Sequence, residues 1–367
     1  MSLKKSGQGG YDYLLLVPTI LLFALGLIAI YSASNYLAYK EVGDSCYYLK
    51  KQALFGLVGI SFLMVAKNIP VHFYSRFVYP ALIASVILLV MVLIPGIGSK
   101  IGGSSRWIKV PGFSLQPSEL AKLSLAIYIA YSMSKKGPVM SSFTKGFLPH
   151  LIVVGSFMCL ILMQPDLGTT VIIGSWLMIM LFVGGFNVLQ LLLMAIAACP
   201  VVYWLIFSTK YRVDRWTAFL NPWDDPQGVG FQIIHSFLAF GSGGLLGAGL
   251  GNSKQKLLYL PEPHTDFILS IVAEELGLIG VAVIIVLFGI LITRGIKISL
   301  NAPDLYSSYL ALAISVLIGL QVVINMGVVM GLLPTKGLTL PFLSYGGSSL
   351  LVNLVGVGIL MSISSRS

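Results

Sequence analysis

The sequence predicts an all-α integral membrane protein of about ten transmembrane helices. Three observations predict it. Apolar residues make up 57% of the chain and charged ones only 10%, against about 25% charge in soluble globular proteins. The apolar residues come in runs of roughly 20, the length that crosses a bilayer as a helix. Short polar breaks rich in proline and glycine separate the runs. A soluble chain of this size could not hide so much apolar surface, whereas a bilayer supplies the missing solvent.

The runs fall at 13–33, 51–67, 77–95, 117–134, 148–163, 169–186, 188–207, 267–293, 306–331 and 343–363. Between the fifth and sixth, Gln164-Pro-Asp-Leu-Gly168 interrupts an almost continuous stretch and reads as a tight turn between two spans. Ten spans place both termini on one side. With the termini inside, ten basic residues fall on inner segments and seven on short outer loops, a vote for that orientation. Lys4 and Lys5 contribute to the inner count, and the first run carries no cleavage signature, so it reads as retained.

The segment 208–266 between the seventh and eighth spans is the one large extracytoplasmic loop of a single membrane domain covering 1–367. Residues 231–240 are apolar at helical spacing and should lie at the interface. The glycine-rich 241–251 stretch lacks the Gly-Lys-Ser/Thr of a phosphate-binding loop. Cys46, Cys159 and Cys199 are too scattered for a disulfide framework, and no His/Cys cluster has metal-ligand spacing.

Function must be read from polar groups that cost something inside a membrane. Glu119 and Lys122 stand three apart on the fourth span, where they can neutralise each other, either as glue between helices or as the polar floor of a mid-membrane substrate cavity. Glu274 and Glu275 open the eighth span; neighbours on a helix point about 100° apart, so one should face polar protein and the other a basic partner or the interface. Gln321 and Asn325, four apart, suit interhelical hydrogen bonds. On the outer side, Arg106, Trp107 and Lys109, with Lys210, Arg212 and Arg215, make either an interfacial belt or a basic mouth suited to an anionic head group. Asp266 is the most pointed carboxylate. It could cap the eighth helix, yet Glu262, His264 and Thr265 crowd the same stretch, more polar chemistry than a cap requires.

Several of these residues lie in segments that closely resemble the SEDS family (shape, elongation, division and sporulation), the FtsW/RodA family. The segments are Ser105-Arg-Trp-Ile-Lys109, Gln116-Pro-Ser-Glu-Leu-Ala-Lys122, Gln164 to Gly168, Asp214 to Trp223, Ser242-Gly-Gly244, Leu260 to Ile268 with Glu274-Glu-Leu-Gly277, and Gly331 to Ser349. The resemblance spans essentially the whole chain. Pro334-Thr-Lys-Gly-Leu-Thr-Leu-Pro341 followed by Ser344-Tyr-Gly-Gly-Ser-Ser349 looks like the division-type branch. One departure is His235-Ser236, where Gln-Ser would be expected.

The resemblance implies an inverting peptidoglycan glycosyltransferase that polymerises lipid II at the outer face of the cytoplasmic (inner) membrane, with both termini in the cytoplasm. It implies a class B penicillin-binding protein, a transpeptidase, as partner, alongside other division or elongation proteins and membrane lipids; no nucleic acid is expected. Asp266 matches the catalytic carboxylate. Arg106, Lys109, Glu119 and Lys122 match cavity positions, and Trp107, Arg215, His264, Thr265, Lys336 and Ser344 are added as substrate-binding positions. No tightly bound cofactor is expected; a divalent cation, Mg or Mn, would arrive with the substrate. Two other classes of function compete: a lipid II flippase, and a non-catalytic scaffold for division proteins.

Overall fold

The computed structural model describes residues 10–101, 104–110, 113–256 and 260–366. Lys4, Lys5 and Tyr259 lie outside them. The helices are α1 (Tyr13–Val42), α2 (Tyr47–Asn68), α3 (Val71–Arg76), α4 (Val78–Leu93), α5 (Pro117–Lys136), α6 (Leu148–Met163), α7 (Leu167–Val183), α8 (Val188–Phe207), α9 (Lys210–Leu220), α10 (Phe231–Gly243), α11 (Ile268–Asn301), α12 (Leu305–Val329) and α13 (Gly347–Ser364).

Each apolar run of the sequence coincides with one of these helices. Among the described residues, seven helical stretches are long and apolar enough to cross a bilayer: α1, α2, α6 with its lead-in from Phe143, α8, α11, α12 and α13. Helices α4 and α7 are shorter, and α5 carries Glu119 and Lys122. The helices show large apolar side chains on their outer faces, such as Leu57, Phe62, Ile83, Ile196 and Val286. In water that would be an aggregation surface; against lipid it is the expected finish.

Two regions depart from simple spans. The 94–116 connection folds into a small antiparallel sheet of β1 (Gly98–Ile101), β2 (Ser104–Val110) and β3 (Phe113–Leu115) in the order β1-β2-β3. Its return is tied to the start of α13: the Gln116 amide donates to Ser348 Oγ at 3.0 Å, and Ser348 Oγ donates to the Ser114 carbonyl at 3.1 Å. The 208–266 segment holds α9 and α10, the latter covering the interfacial run predicted from spacing.

Helix α12 runs through the middle of the bundle, packed by α11, α5, α7 and α13. Its most apolar stretch is 72% buried, against 6% for α8 at the periphery. The termini lie together. Asp12 pairs with Arg294 at 3.1 Å, and its amide donates to Ser364 Oγ at 3.2 Å. The helices that coincide with the apolar runs alternate in direction between that end and the other. The opposite end therefore gathers the sheet, the 164–166 turn, the 208–267 segment and the 330–346 loop.

A carboxylate among cations at one end of the bundle

Asp266 lies two residues before the first residue of α11. It is not the cap of that helix: Phe267 occupies the N-cap position and no side chain caps it. The local chain explains where the carboxylate goes. Glu262 takes a left-handed backbone (φ 45°) between two prolines, uncommon for a residue with a side chain. The amide and hydroxyl of Thr265 both donate to the Glu262 carbonyl, at 3.1 and 2.9 Å. The turn thus closes on itself and leaves the next residue, Asp266, to face the 330–346 loop. There Gly337 comes close: a Cβ on it would lie 3.2 Å from Asp266 Oδ2 and 4.0 Å from Arg106 Nη1. Burial raises the Asp266 carboxyl to about 7; Glu262 adds to the rise, Arg215 and Arg106 oppose it, and Asp166 adds a little more. Such a group is half-ionised at neutral pH, as a general base requires.

The cations come from three elements. Strand alternation puts Arg106 and the buried Ile108 on one face of β2, with Trp107 and Lys109 on the other. Arg106 reaches the 164–166 turn, donating from Nη2 to the Pro165 carbonyl at 2.6 Å and lying 3.8 Å from Asp166 Oδ2. Its buried Nε has no hydrogen-bond partner among the described residues. Arg215, on α9, stacks over the Tyr211 ring at 4.3 Å and donates to the Thr335 carbonyl at 3.2 Å. Lys336 follows directly in that loop; burial lowers its amine, and the charge of Asp166 offsets part of the fall. Arg212 turns away to the Leu205 carbonyl at the end of α8.

The other residues expected at the site are dispersed. Lys109 is exposed and Trp107 half-buried. His264 is a buried aromatic, with Tyr48 at 4.4 Å and Tyr345 at 5.6 Å between ring centroids. Burial pushes its imidazole down to about 4, so it is neutral, and its carbonyl accepts from the Tyr345 amide at 2.9 Å. Thr265 is committed to its own turn. Ser344 is buried and its Oγ accepts from the Leu340 amide at 2.8 Å. Glu119 and Lys122 form a buried ion pair at 2.8 Å, but in the first two turns of α5 rather than at mid-span. The cavity they line with Gln321 and Asn353 measures about 30 Å³, room for roughly one water molecule.

Sequence reasoning missed two contributors. Asp166 caps α7, accepting from the Thr169 amide and hydroxyl at 3.0 and 2.9 Å, and its charge faces both Arg106 and Lys336. Asp at the start of an apolar run was the signal. Gly337 could not be found, since its close approach to Asp266 exists only in three dimensions. The departure at His235 is absorbed locally: its Nδ1 meets Gln255 Oε1 at 2.7 Å, and Ser236 Oγ donates to the Val329 carbonyl at 2.6 Å.

Fold and site together define a class: a polytopic membrane protein with a raised carboxylate beside arginine and lysine at one end of its bundle. Known proteins agree. The family model for cell cycle proteins of the FtsW, RodA and SpoVE type matches residues 12–367. The chain is 47% identical over 356 residues to the probable peptidoglycan glycosyltransferase FtsW of Geobacter metallireducens, covering 97% of this chain and 95% of that protein. It is 45% identical over 368 residues to stage V sporulation protein E of Bacillus subtilis, with 100% of both chains covered. Among solved structures, a chain of a peptidoglycan synthase complex that coordinates polymerization and crosslinking superposes with a TM-score of 0.79 at 29% identity, over 96% of this chain and 97% of that one. The rod shape determining protein RodA of Thermus thermophilus gives 0.72 at 27% identity, over 96% of each chain. The chain belongs to the FtsW/RodA/SpoVE family of cell cycle proteins.

Proposed function

We propose that the chain is a peptidoglycan glycosyltransferase that polymerises lipid II at the outer face of the cytoplasmic membrane, in cell division, with its termini in the cytoplasm. The observation that carries the reading is the approach of both Asp266 Oδ2 and Arg106 Nη1 to Gly337, with Arg106 and Arg215 acting on the Asp266 carboxyl. The donor is a sugar on a polyprenyl pyrophosphate and already has a good leaving group, so activation calls for cations rather than an acid. The acceptor hydroxyl passes its proton to the Asp266 carboxylate as its oxygen attacks the anomeric carbon. The new C–O bond forms as the bond to pyrophosphate breaks, and the electron pair leaves with the pyrophosphate. Attack from the far side inverts the α-linked donor to a β-glycoside. Arg106, with its unused Nε, Arg215 and Lys336 receive the leaving charge, while Lys109 and Trp107 stand at the rim.

Among the described residues no group of three or more His, Cys, Asp or Glu could hold a metal. A divalent cation, Mg or Mn, would arrive with the substrate pyrophosphate and supply further charge neutralisation there. A class B penicillin-binding protein, the transpeptidase partner, would dock on the lipid-facing side of α11, which exposes Leu278, Ile279, Val283 and Val286, with the mostly buried α12 behind it. Among the described residues, the cavity around Glu119 and Lys122 is about 30 Å³, far below head-group size, which weighs against transport through that point.

The test is polymer formation by the purified protein with its partner and lipid II. Asp266→Asn removes the base with almost no change of shape, so polymer should fall at least about 100-fold. Because the base must be ionised, the wild-type rate should rise with pH through about 7. A transporter would move lipid II across vesicles unchanged by the substitution. Near-normal polymer from Asp266→Asn removes Asp266 from the mechanism.

A further inference from the structure

Asn325 lies on α12 and is 1% exposed. Its Nδ2 donates to two backbone carbonyls from different parts of the chain, Asp266 at 3.0 Å and Leu338 at 2.6 Å. Both neighbours are acceptors only, so the amide orientation is dictated by chemistry: flipped, Oδ1 would face two carbonyl oxygens. The buried Oδ1 has no partner among the described residues. An amide that leaves its own acceptor unsatisfied in the interior is retained at a cost, and its two donated bonds offset that cost. No other uncharged side chain of this size delivers two hydrogens to one point: Ser and Thr offer one, Leu none.

The two carbonyls flank the site. One belongs to the residue whose carboxylate is the proposed base. The other is one residue past Gly337, the point of closest approach to that carboxylate, and two past Lys336. We infer that Asn325 is a positioning residue, its side-chain amide fixing the gap between the Asp266 carboxylate and the Lys336–Gly337 segment. It touches neither substrate nor reacting atoms. The inference rests on the reading of Asp266 as the base.

The gap matters electrostatically because the loop covers the carboxylate. Asp266 is faced by Glu262 from its own turn, Arg215 from α9, Arg106 from β2 and Asp166 from the start of α7, with Lys336 across from Asp166 and the neutral His264 two residues back. Losing the tie lets the 336–338 segment lift and water in. Burial is the chief cause of the raised carboxyl, so the carboxyl falls toward its ordinary value. The acid limb of the rate then moves to lower pH even as the rate itself drops.

The experiment uses purified full-length protein in complex with its transpeptidase, with lipid II as substrate. Asn325→Asp, isosteric but without the two donors, and Asn325→Ser, which keeps one, are compared with wild type. For Asn325→Asp, kcat should fall about 10- to 100-fold, as for a misplacement near 1 Å, with KM for lipid II within about threefold. In Asn325→Ser, which adds no charge beside Asp266, the acid limb should move down in pH, with kcat between that of Asn325→Asp and wild type. Wild-type kcat with an unmoved acid limb in either folded variant overturns the inference. So does failure of both variants to fold, which would make Asn325 a support of the fold only. A parallel Asp266→Asn arm separates the two claims: if that variant stays active the proposed base is wrong, and if it is inactive while Asn325→Asp is unaffected only the positioning role falls.

Discussion

Lys122 and Glu119 show how one side chain can look alike in two roles. Their Nζ–Oε1 contact at 2.8 Å is closed among Leu123, Ile314 and Leu317, and Glu119 Oε2 is buried with no partner among the described residues. Lys122→Met would leave the carboxylate unpaired in low dielectric, a loss of about 3–5 kcal/mol. The single variant should melt lower and polymerise poorly. Glu119→Gln with Lys122→Met should recover most of the thermal stability but not the activity. Full activity in the double variant would reduce the pair to structural glue. The pair was legible in the sequence because a three-residue spacing on a helix needs nothing else. Asp266 and Arg106 were legible by their chemistry, as charge where an apolar chain cannot carry it idly. Asn325 was read as a hydrogen-bonding residue, but its partners, 59 and 13 residues away, have no local signature. Ser344 and Thr265 looked like site residues and are instead engaged in their own turns.

Between residue and fold stands the start of α11. Gly277 breaks its helical geometry with φ 66°, a backbone that glycine adopts without strain. Just before it, Glu274 and Glu275 were expected to face different surroundings, and in character they do. Glu275 takes Lys256 Nζ at 3.1 Å and Ser32 Oγ at 2.6 Å, whereas Glu274 takes the Ser253 hydroxyl and the Lys254 amide, the latter at 2.9 Å. What adjacency could not reveal is that both grip one segment, 253–256, which crosses the helix widely enough to meet side chains about 100° apart. That grip anchors the chain ten residues before Asp266. Lys256→Met should strand Glu275 and loosen the segment; pairing it with Glu275→Gln should restore order. Hydrogen exchange of the 244–256 amides reads the difference. Protection that stays at the wild-type level in Lys256→Met would mean the anchor lies elsewhere.

At the scale of the whole molecule, the spans were legible because a bilayer imposes one length on every crossing, and the position of every helix in the bundle follows from its apolar run. The count is harder. α4 and α7 fall short of about 20 residues, and α5 spends its first turns on an ion pair, so length and composition alone certify fewer crossings than the connectivity needs. The pairing of Asp12 with Arg294 and Ser364 at one end, against Arg106 with Pro165 and Arg215 with Thr335 at the other, requires that α4, α5 and α7 each traverse the bundle. Accessibility from the two sides of the membrane then decides the matter. Gln227, in the exposed stretch between α9 and α10, belongs to the end that holds the site, and the exposed Ser141, between α5 and α6, to the other. With Cys46, Cys159 and Cys199 replaced by serine, a cysteine at 227 should react with an impermeant maleimide in intact cells, and one at 141 only after permeabilisation. Equal labelling of both in intact cells would put the two loops on one side. The helices between them would then cross an even number of times instead of the three that α6, α7 and α8 supply, and Asp266 would no longer share a face with the turn that holds Arg106.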